Sequence, residues 1–586
     1  MKIERIEPQN WFAGLRNPLL QLMLTGPGVA SARQVMAAGS GARVRRVTRL
    51  DSPNYLFVDL DLSQARPGLV TLTVDGERVD YRLLPRREAG DGRQGLSHAD
   101  VLYLLMPDRF AQGPHHVRQA KGLRPYREDR REPSLRHGGD LEGLCQHLDY
   151  FCELGVTALW LTPVQENNSA DNGGRYSTYH GYAITDFYRI DPRLGTLDDY
   201  CRLADQAHRR GLKVVMDLVF NHCSIDHPWL SDLPSADWVF QEHRQTSYKL
   251  TPTLDPYAAD TDRRDTLEGW FTDAMPALNL RQPQLLRYLV QCAKWWVETA
   301  GIDAIRMDTF PYVDATAMRL WMQEMKDEYP RFSIVGETWV TEPAFTAACQ
   351  ARGLSHPTDF ALYDRMKQAW REDTDDWWTG LNRVYHCLCS DHLYRHPERV
   401  VAFLDNHDTD RFLAGDTDPK PLQQALTLLL VMRRTPQLYY GTELLMNGTT
   451  AETDGNVRRD FPGGFANDRR NAFSPGGRTR RQQAMFQWLS RLLHWRRGNA
   501  LIAHGTQKHF IPHQGVYVLA RQWRKNVAMA VLNGTAAEAT LDIDRYKEVV
   551  GQAREATDVL TGRRYRLTAD LRLRPRQTLL LEFTAT

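Results

Sequence analysis

The 586-residue sequence predicts an α/β fold: a parallel (β/α)8 barrel with a loop-rich insertion after its third strand, flanked by N-terminal and C-terminal all-β domains. Three observations carry this reading. From residue 98 to 502, short apolar runs alternate with longer amphipathic stretches, the pattern of parallel strands joined by crossover helices. Roughly 80 residues separate the third run from the fourth, far more than one crossover helix needs. Before residue 98 and after 502, strand-like runs follow one another between turn residues, with no helical period between them.

Taken in order, residues 1–97 read as an immunoglobulin-like β-sandwich, with runs at Leu19–Leu24, Tyr55–Leu60 and Leu69–Val74, the last closed by Asp75-Gly76. A Gly-, Asp- and Arg-rich linker follows at Arg86–Gly95. Eight barrel strands are expected at 101–106, 157–163, 212–219, 301–307, 332–338, 359–363, 400–405 and 436–440. Helices are expected between them, among them 141–154, 197–210, 283–299 and 315–329. The inserted subdomain, about 223–282, holds Pro228, Pro234, Pro252 and Pro256 among many polar residues, which favours loops. Residues 503–586 read as a second β-sandwich, with runs at Gly515–Leu519, Val527–Leu532 and Thr578–Phe583.

Composition narrows the function. Lys and Arg number 74 against 72 Asp and Glu, so the balance argues against a general nucleic-acid partner, which would need a basic stripe. With no apolar run near the ~18 residues of a membrane span, no membrane partner is expected. The N-terminus lacks the apolar core of a signal peptide. Eight cysteines without a CxxC pair fit reduced thiols better than a disulfide framework. A cytoplasmic location is therefore expected, with a periplasmic one as the alternative if a leader was removed. The 58 aromatic residues include a supply suited to stacking on sugar rings.

In such a barrel the chemistry lies at the C-terminal strand ends. Strand three runs into Asp217-Leu218-Val219-Phe220-Asn221-His222, and strand four ends at Arg306-Met307-Asp308. Strand five carries Glu337 before Thr338-Trp339, and strand seven runs into Asp405-Asn406-His407-Asp408. One Asp after a strand is usually a helix cap. Carboxylates beside Arg or His at four strand ends are a different matter, because burying an unpaired carboxylate costs several kcal/mol. Arg306 and Asp308, two apart, share a strand face, so the guanidinium keeps Asp308 ionised, as a glycosidase nucleophile requires. Glu337, in a partly apolar setting, should have its pKa raised by desolvation, as a general acid requires. A nucleophile and an acid/base carboxylate about 5–5.5 Å apart define a retaining glycosidase, a separation that adjacent strand ends can supply.

The segments DLVFNH (217–222), GIDAIRMD (301–308), VGETW (335–339) and FLDNHD (403–408) resemble the four conserved segments of the α-amylase family, glycoside hydrolase family 13. YLLMPDRF (103–110), YHGYAITDFYRIDPRLGT (179–196) and TPQLYYGTE (435–443) resemble its first strand, its loop after strand two and its eighth strand. MPALN (275–279) resembles the mark of the cyclomaltodextrinase, neopullulanase and maltogenic amylase branch, which carries an N-terminal β-sandwich. The resemblance implies Asp308 as nucleophile, Glu337 as general acid/base and Asp408 as the third carboxylate, which binds sugar hydroxyls. It implies that Arg306 holds Asp308 ionised, that His222 and His407 hydrogen-bond the sugar at the cleaved bond, and that Tyr182 stacks beneath it. Trp339 is then the platform for the leaving-group sugar, and Asp217 and Asn221 support the site without touching substrate.

It further implies small α-1,4-glucans as partners: cyclodextrins, maltooligosaccharides and pullulan or starch, cleaved by double displacement. A glucanotransferase or an ordinary α-amylase is the enzymatic alternative, and a non-catalytic glucan-binding relative the remote one. The branch also admits a homodimer. No cofactor is required. Many relatives bind calcium after the first strand, but here AQGPHHVRQAKGLRPYREDR (111–130) is basic, so no metal is expected at the loop after Phe110. Oxygen ligands in 166–174 are the remaining source of a calcium site. Tyr312 stands where relatives carry His or Glu, which puts an aromatic face on the leaving side. His115-His116 reads as a solvated loop, Cys387 and Cys389 as packing, and Arg458–Phe465 as either a lid or an ordinary barrel loop.

Overall fold

The computed structural model describes residues 2–88, 92–170, 174–242, 244–372 and 376–585. Its centre is one eight-stranded parallel sheet: Leu102–Leu105, Ala158–Leu161, Lys213–Leu218, Ala304–Met307, Ser333–Gly336, His356–Pro357, Val401–Phe403 and Thr435–Tyr439. Neighbours pair in chain order, and the eighth strand returns to the first. A parallel bridge from Thr358 to Val401, with the Asp359 N–H donating to Val401 O at 2.8 Å, closes the ring between strands six and seven. Every residue of the first two strands is buried, because a barrel strand is covered by packed side chains within and by helices without.

The crossover helices carry the expected signals. Thr196 and Asp199 form a capping box at the start of Leu197–Arg209, which buries Tyr200, Leu203, Ala204 and Ala207 at helical spacing. Pro283 opens Pro283–Ala300 at a position with no hydrogen bond to lose, and Gly301 ends it in the left-handed region at φ 68°.

Two sequence expectations need correction. The sixth strand is not 359–363 but His356–Pro357, and Phe360–Ala369 is a helix. Asp359 decides the change: its carboxylate accepts the Leu362 N–H at 3.0 Å and caps the helix, while its other oxygen takes the Arg434 Nε at 2.9 Å. A short apolar run does not distinguish a strand from a helix start by period alone. The stretch 141–154 is two helices, Leu141–Gln146 and Leu148–Leu154, meeting at His147.

Residues 5–84 form two four-stranded sheets, and 506–584 form a six-stranded sheet with a separate two-stranded one. The core of the N-terminal sheets is continuous with that of the barrel. Gln21 and Gln291 seal the junction reciprocally, through Gln21 N–H to Gln291 Oε1 at 2.8 Å and Gln291 Nε2 to Gln21 O at 2.7 Å. The described ends of the segment read as a linker are docked as well. Arg86 and Arg93 both reach Glu298 Oε1, at 2.6 and 3.2 Å. Gly92, at φ 73°, lies so close to Gly301 that a Cβ would sit 1.8 Å from its carbonyl oxygen. Apart from the helix Asp260–Leu267 and short 3-10 turns, the insertion is held by isolated bridges. The one between His222 and Ala277 lays the MPALN segment against the end of strand three. Among the described residues, no helix is long and apolar enough to cross a membrane.

Candidate active site

Arg306 organises the site. It follows Ile305 inside the fourth strand, fully buried, and its guanidinium reaches carboxylates on three adjacent strands. Nη1 donates to Asp308 Oδ1 at 2.7 Å and to Asp217 Oδ1 at 3.0 Å, and Nη2 pairs with Glu337 Oε1 at 2.9 Å. Thr309, held at φ 46° directly after the strand, makes a second bridge. Its hydroxyl donates to Asp308 Oδ2 at 3.1 Å and its N–H to Glu337 Oε2 at 2.8 Å. Parallel register places Arg306 opposite Asp217 on one side and Val335 on the other, so Asp308 and Glu337 emerge side by side at the mouth.

The acids are set apart electrostatically. Burial pushes Glu337 up to about 8; the charges of Asp308 and Asp408 add to the rise, while Arg306 and the Thr309 N–H oppose it. Burial would likewise raise Asp408, but His407, Arg458 and Arg306 outweigh it and hold this carboxyl below its ordinary value. Asp217 is pushed up to about 7, by burial first and the Asp308 charge second. It accepts from Trp160 Nε1 at 3.0 Å and from the Tyr182 hydroxyl at 2.9 Å, so every approach to it is protein.

A cavity of about 340 Å³ opens over these groups. Of the residues singled out in the sequence, Asp308, Glu337, Asp408, Tyr182, His222 and Trp339 line it, as does Tyr312. The Tyr182 ring is stacked on His407, with centroids 5.4 Å apart and planes 8° apart. His222 stacks on Phe271 at 5.1 Å, and its buried Nε2 has no protein partner, leaving it free for a sugar hydroxyl. Trp339 is 45% exposed and lies flat on Phe360, which fixes its other face toward the cavity mouth.

Arg306 and His407 do not line the cavity. His407 Nε2 already meets the Tyr182 hydroxyl at 2.7 Å and Asp408 Oδ2 at 3.1 Å, so the ring sits behind Asp408 and positions it. Arg306 is consumed by its three carboxylates. Asp217 and Asn221 also stay out of the cavity; Asn221 Nδ2 lies 3.2 Å from His222 Nδ1 and orients that ring.

Sequence reasoning named Arg458 only as the start of a lid or ordinary loop and gave it no part at the acids. It lines the cavity, donates from Nη2 to Asp408 Oδ1 at 2.7 Å and anchors through Nε on the His407 carbonyl at 2.7 Å. Fifty residues separate it from Asp408, and an arginine pair in a loop carries no periodic signal. Tyr176, His180, Phe271, Thr272, Met275 and Asp454 join Thr309 in completing the wall; of these loop residues, His180 and Met275 lay in segments that had drawn notice.

The histidine pair after Phe110 is not a solvated loop throughout. His116, its side chain 15% exposed, lies 2.9 Å from Glu128 and 3.7 Å from Asp140, and these acids raise it to about 9. Arg130, from the same basic stretch, is held by Asp460 and Asp468, each at 2.6 Å. Among the described residues, no group of three or more His, Cys, Asp or Glu side chains is arranged to hold a metal ion. Residues 171–173, within the second stretch read as a calcium source, lie outside the described residues.

Comparison with known proteins places this geometry. Neopullulanase 2 of Thermoactinomyces vulgaris is 31% identical over 377 residues, 61% of this chain and 58% of that one. A cyclomaltodextrin glucanotransferase of Geobacillus stearothermophilus is 29% identical over 467 residues, 75% of this chain and 60% of that one. The chain thus spans about three fifths of the length of these two relatives. An Anoxybacillus α-amylase structure superposes with a TM-score of 0.69 at 27% identity, covering 83% of this chain and 98% of the other. A maltogenic amylase structure from S. marinus shares the fold over 99% of this chain, with a TM-score of 0.63 at 17% identity. Family models match residues 104–488 as the α-amylase catalytic domain, 5–87 as a cyclomaltodextrinase N-terminal domain and 507–582 as a cyclomaltodextrinase C-terminal domain. With the barrel, the shared guanidinium and these matches together, the chain belongs to the α-amylase family.

Proposed function

We propose that the protein hydrolyses α-1,4-glucosidic bonds in cyclodextrins and short maltooligosaccharides, with retention of anomeric configuration. One observation carries the reading: a single guanidinium holds Asp308 and Glu337 side by side at a cavity mouth where burial keeps Glu337 protonated into the neutral range. In the first step an Asp308 oxygen bonds to the anomeric carbon while the glycosidic C–O bond breaks. The Glu337 proton passes to the departing oxygen. In the second, Glu337 takes a proton from water, the water oxygen bonds to the same carbon, and the Asp308 ester breaks. Two inversions give retention. Arg306 Nη1, 2.7 Å from Asp308 Oδ1, orients that carboxylate through each step, and Asp408, fixed by Arg458 and His407, receives sugar hydroxyls as the ring flattens. Both Glu337 oxygens accept from N–H donors in the resting site, so presenting the proton to substrate requires one of those contacts to yield.

The preference for small glucans rests on the wall. Phe271 and Met275 from the insertion and Tyr312 from the fourth barrel loop narrow the cavity with uncharged surface. The chain's likeness to a glucanotransferase also keeps transfer to a sugar acceptor as the competing reaction, since it would use the same carboxylates. Two measurements test the proposal. Early products should be α-anomers by NMR, and kcat/KM for a cyclodextrin should exceed that for soluble starch, with maltose and glucose as final products. Early β-anomer would sink the double displacement. Equal or faster attack on starch would sink the substrate preference, and larger cyclic or elongated products would make it a transferase.

A further inference from the structure

A cavity of about 530 Å³ lies at the opposite end of the barrel from the acids. The starts of strands five and six, Ser333 and His356, form its roof. Arg319, Lys326, Arg331, Arg352, Arg395 and Arg399 line it, and no Asp or Glu does. None of these six side chains makes an ion pair with any described residue, although elsewhere Arg side chains of this protein are paired repeatedly. The helix Ala315–Glu328 shows the segregation on its own surface. Arg319 and Lys326 face the cavity, while Glu324 and Glu328 turn away to Lys294 and Arg86. Three of the cations have a local explanation: Lys326, Arg352 and Arg399 stand at helix C-termini, where a positive charge offsets the dipole. Arg319, Arg331 and Arg395 do not.

A second observation is independent of the charges. His356 lines the same cavity and is 2% exposed, and its Nε2 has no partner. Its Nδ1 meets Ser355 Oγ at 3.0 Å. That hydroxyl already donates its one hydrogen to Ile334 O, so Nδ1 is the donor and Nε2 a vacant acceptor. A buried acceptor without a donor calls for a ligand O–H, and a concave surface of one charge sign focuses its field on the opposite sign. We infer that this floor cavity binds a small phosphate-bearing anion, gripped by the arginine forks as planar guanidinium groups grip phosphate. The site is separate from the glucan cleft and does not depend on the activity assigned there.

Calorimetric titration of the full-length chain with inorganic triphosphate, glucose 1-phosphate and glucose tests this. Both phosphates should bind at about one per chain and weaken as salt rises, and uncharged glucose should not bind. Tighter binding of glucose 1-phosphate would assign the ligand as a sugar phosphate, and tighter binding of triphosphate as a free oligophosphate. The double variant Arg352→Glu/Arg395→Glu should weaken either by at least tenfold while leaving cyclodextrin turnover unchanged. A milder Arg395→Gln variant should weaken it severalfold, should the double variant not fold. Absence of saturable phosphate binding at millimolar concentration overturns the proposal. So does binding that the variants leave intact, or a preference for a long polyanion such as duplex DNA over both small phosphates.

Discussion

The two ends of the barrel treat charge in opposite ways. At the mouth, Arg306 and Arg458 are each buried against carboxylates at 2.7–3.2 Å, and the acids face the cavity. At the floor, six cations face a larger cavity with no carboxylate among its lining residues. Helix polarity sets the bias, since crossover helices present their N-termini at the mouth and their C-termini at the floor. It does not set the pairing. A buried guanidinium at the mouth needs its acids because desolvating an unpaired charge costs several kcal/mol, whereas the exposed floor cations keep their water. Paired charge thus makes a rigid, pre-organised site, and unpaired charge makes one that waits for a ligand.

Removing one member of the mouth cluster should have the largest effect. Asp308→Asn and Glu337→Gln should each lower kcat by at least ~10³ with KM little changed, since both act in the transition state. Folding, read by circular dichroism, should stay intact. Near-normal turnover in either variant would remove the assignment of the mouth as the reactive end.

Next comes Arg458, which tests whether pairing at the mouth is functional. Arg458→Ala leaves Asp408 with His407 alone and should cost about 10²-fold in kcat/KM, with a stability loss of order 3 kcal/mol for a broken buried pair. Arg458→Lys should recover part of the activity, and a variant as active as the wild type would show that Asp408 needs no such anchor.

A smaller effect concerns pH and stability. Glu337 stands at about 8 when folded against an ordinary value of 4.5, so between these limits the folded chain holds a proton that the unfolded chain has lost. Its ionisation therefore withdraws stability as pH rises from about 4.5 to 8, by at most ~1.4 kcal/mol per pH unit. Glu337→Gln should be more stable relative to wild type at pH 8 than at pH 5, by chemical denaturation at both. The same group predicts that activity falls as pH rises through about 8. An unchanged stability difference at the two values would contradict a buried, protonated acid.

The smallest effect belongs to His116, a cation between two acids away from the cleft. Its folded value, about 9, exceeds its ordinary 6.5, so its contribution is complete below 6.5 and lost as pH rises through 9. His116→Ala should lower stability by about 1 kcal/mol at pH 6 and by less at pH 9.5. Exhaustive chelation should leave activity and melting temperature unchanged; a loss restored by calcium would reveal an oxygen-ligand site in a loop.

Much of this was legible in the residues. Six of the eight barrel strands lie within the expected spans, and the eighth starts one residue ahead of its own, because buried parallel strands read as continuous apolar runs. The sixth is two residues long, and the strong apolar signal beside it, Phe360-Ala361-Leu362, belongs to the following helix. Asp308, Glu337 and Asp408 were legible as candidates because strand ends are marked positions, and all three line one cavity. Arg458 was not, because its partner is fifty residues away and loops have no period.

The order of strands, the acids at their ends and the Arg306–Asp308 pairing are local properties, fixed by spacing of two along a strand and by apolar content. Other features needed the closed ring. Register alone brings Asp217 and Glu337 to the same guanidinium, and folding alone brings His407 Nε2 to the Tyr182 hydroxyl. The floor is the clearest case. Its six cations are scattered from residue 319 to 399 in a chain of net charge +2, and only the packing of three successive barrel crossings gathers them around one cavity. Composition averages charge over the chain, whereas an electrostatic field depends on where each charge is held.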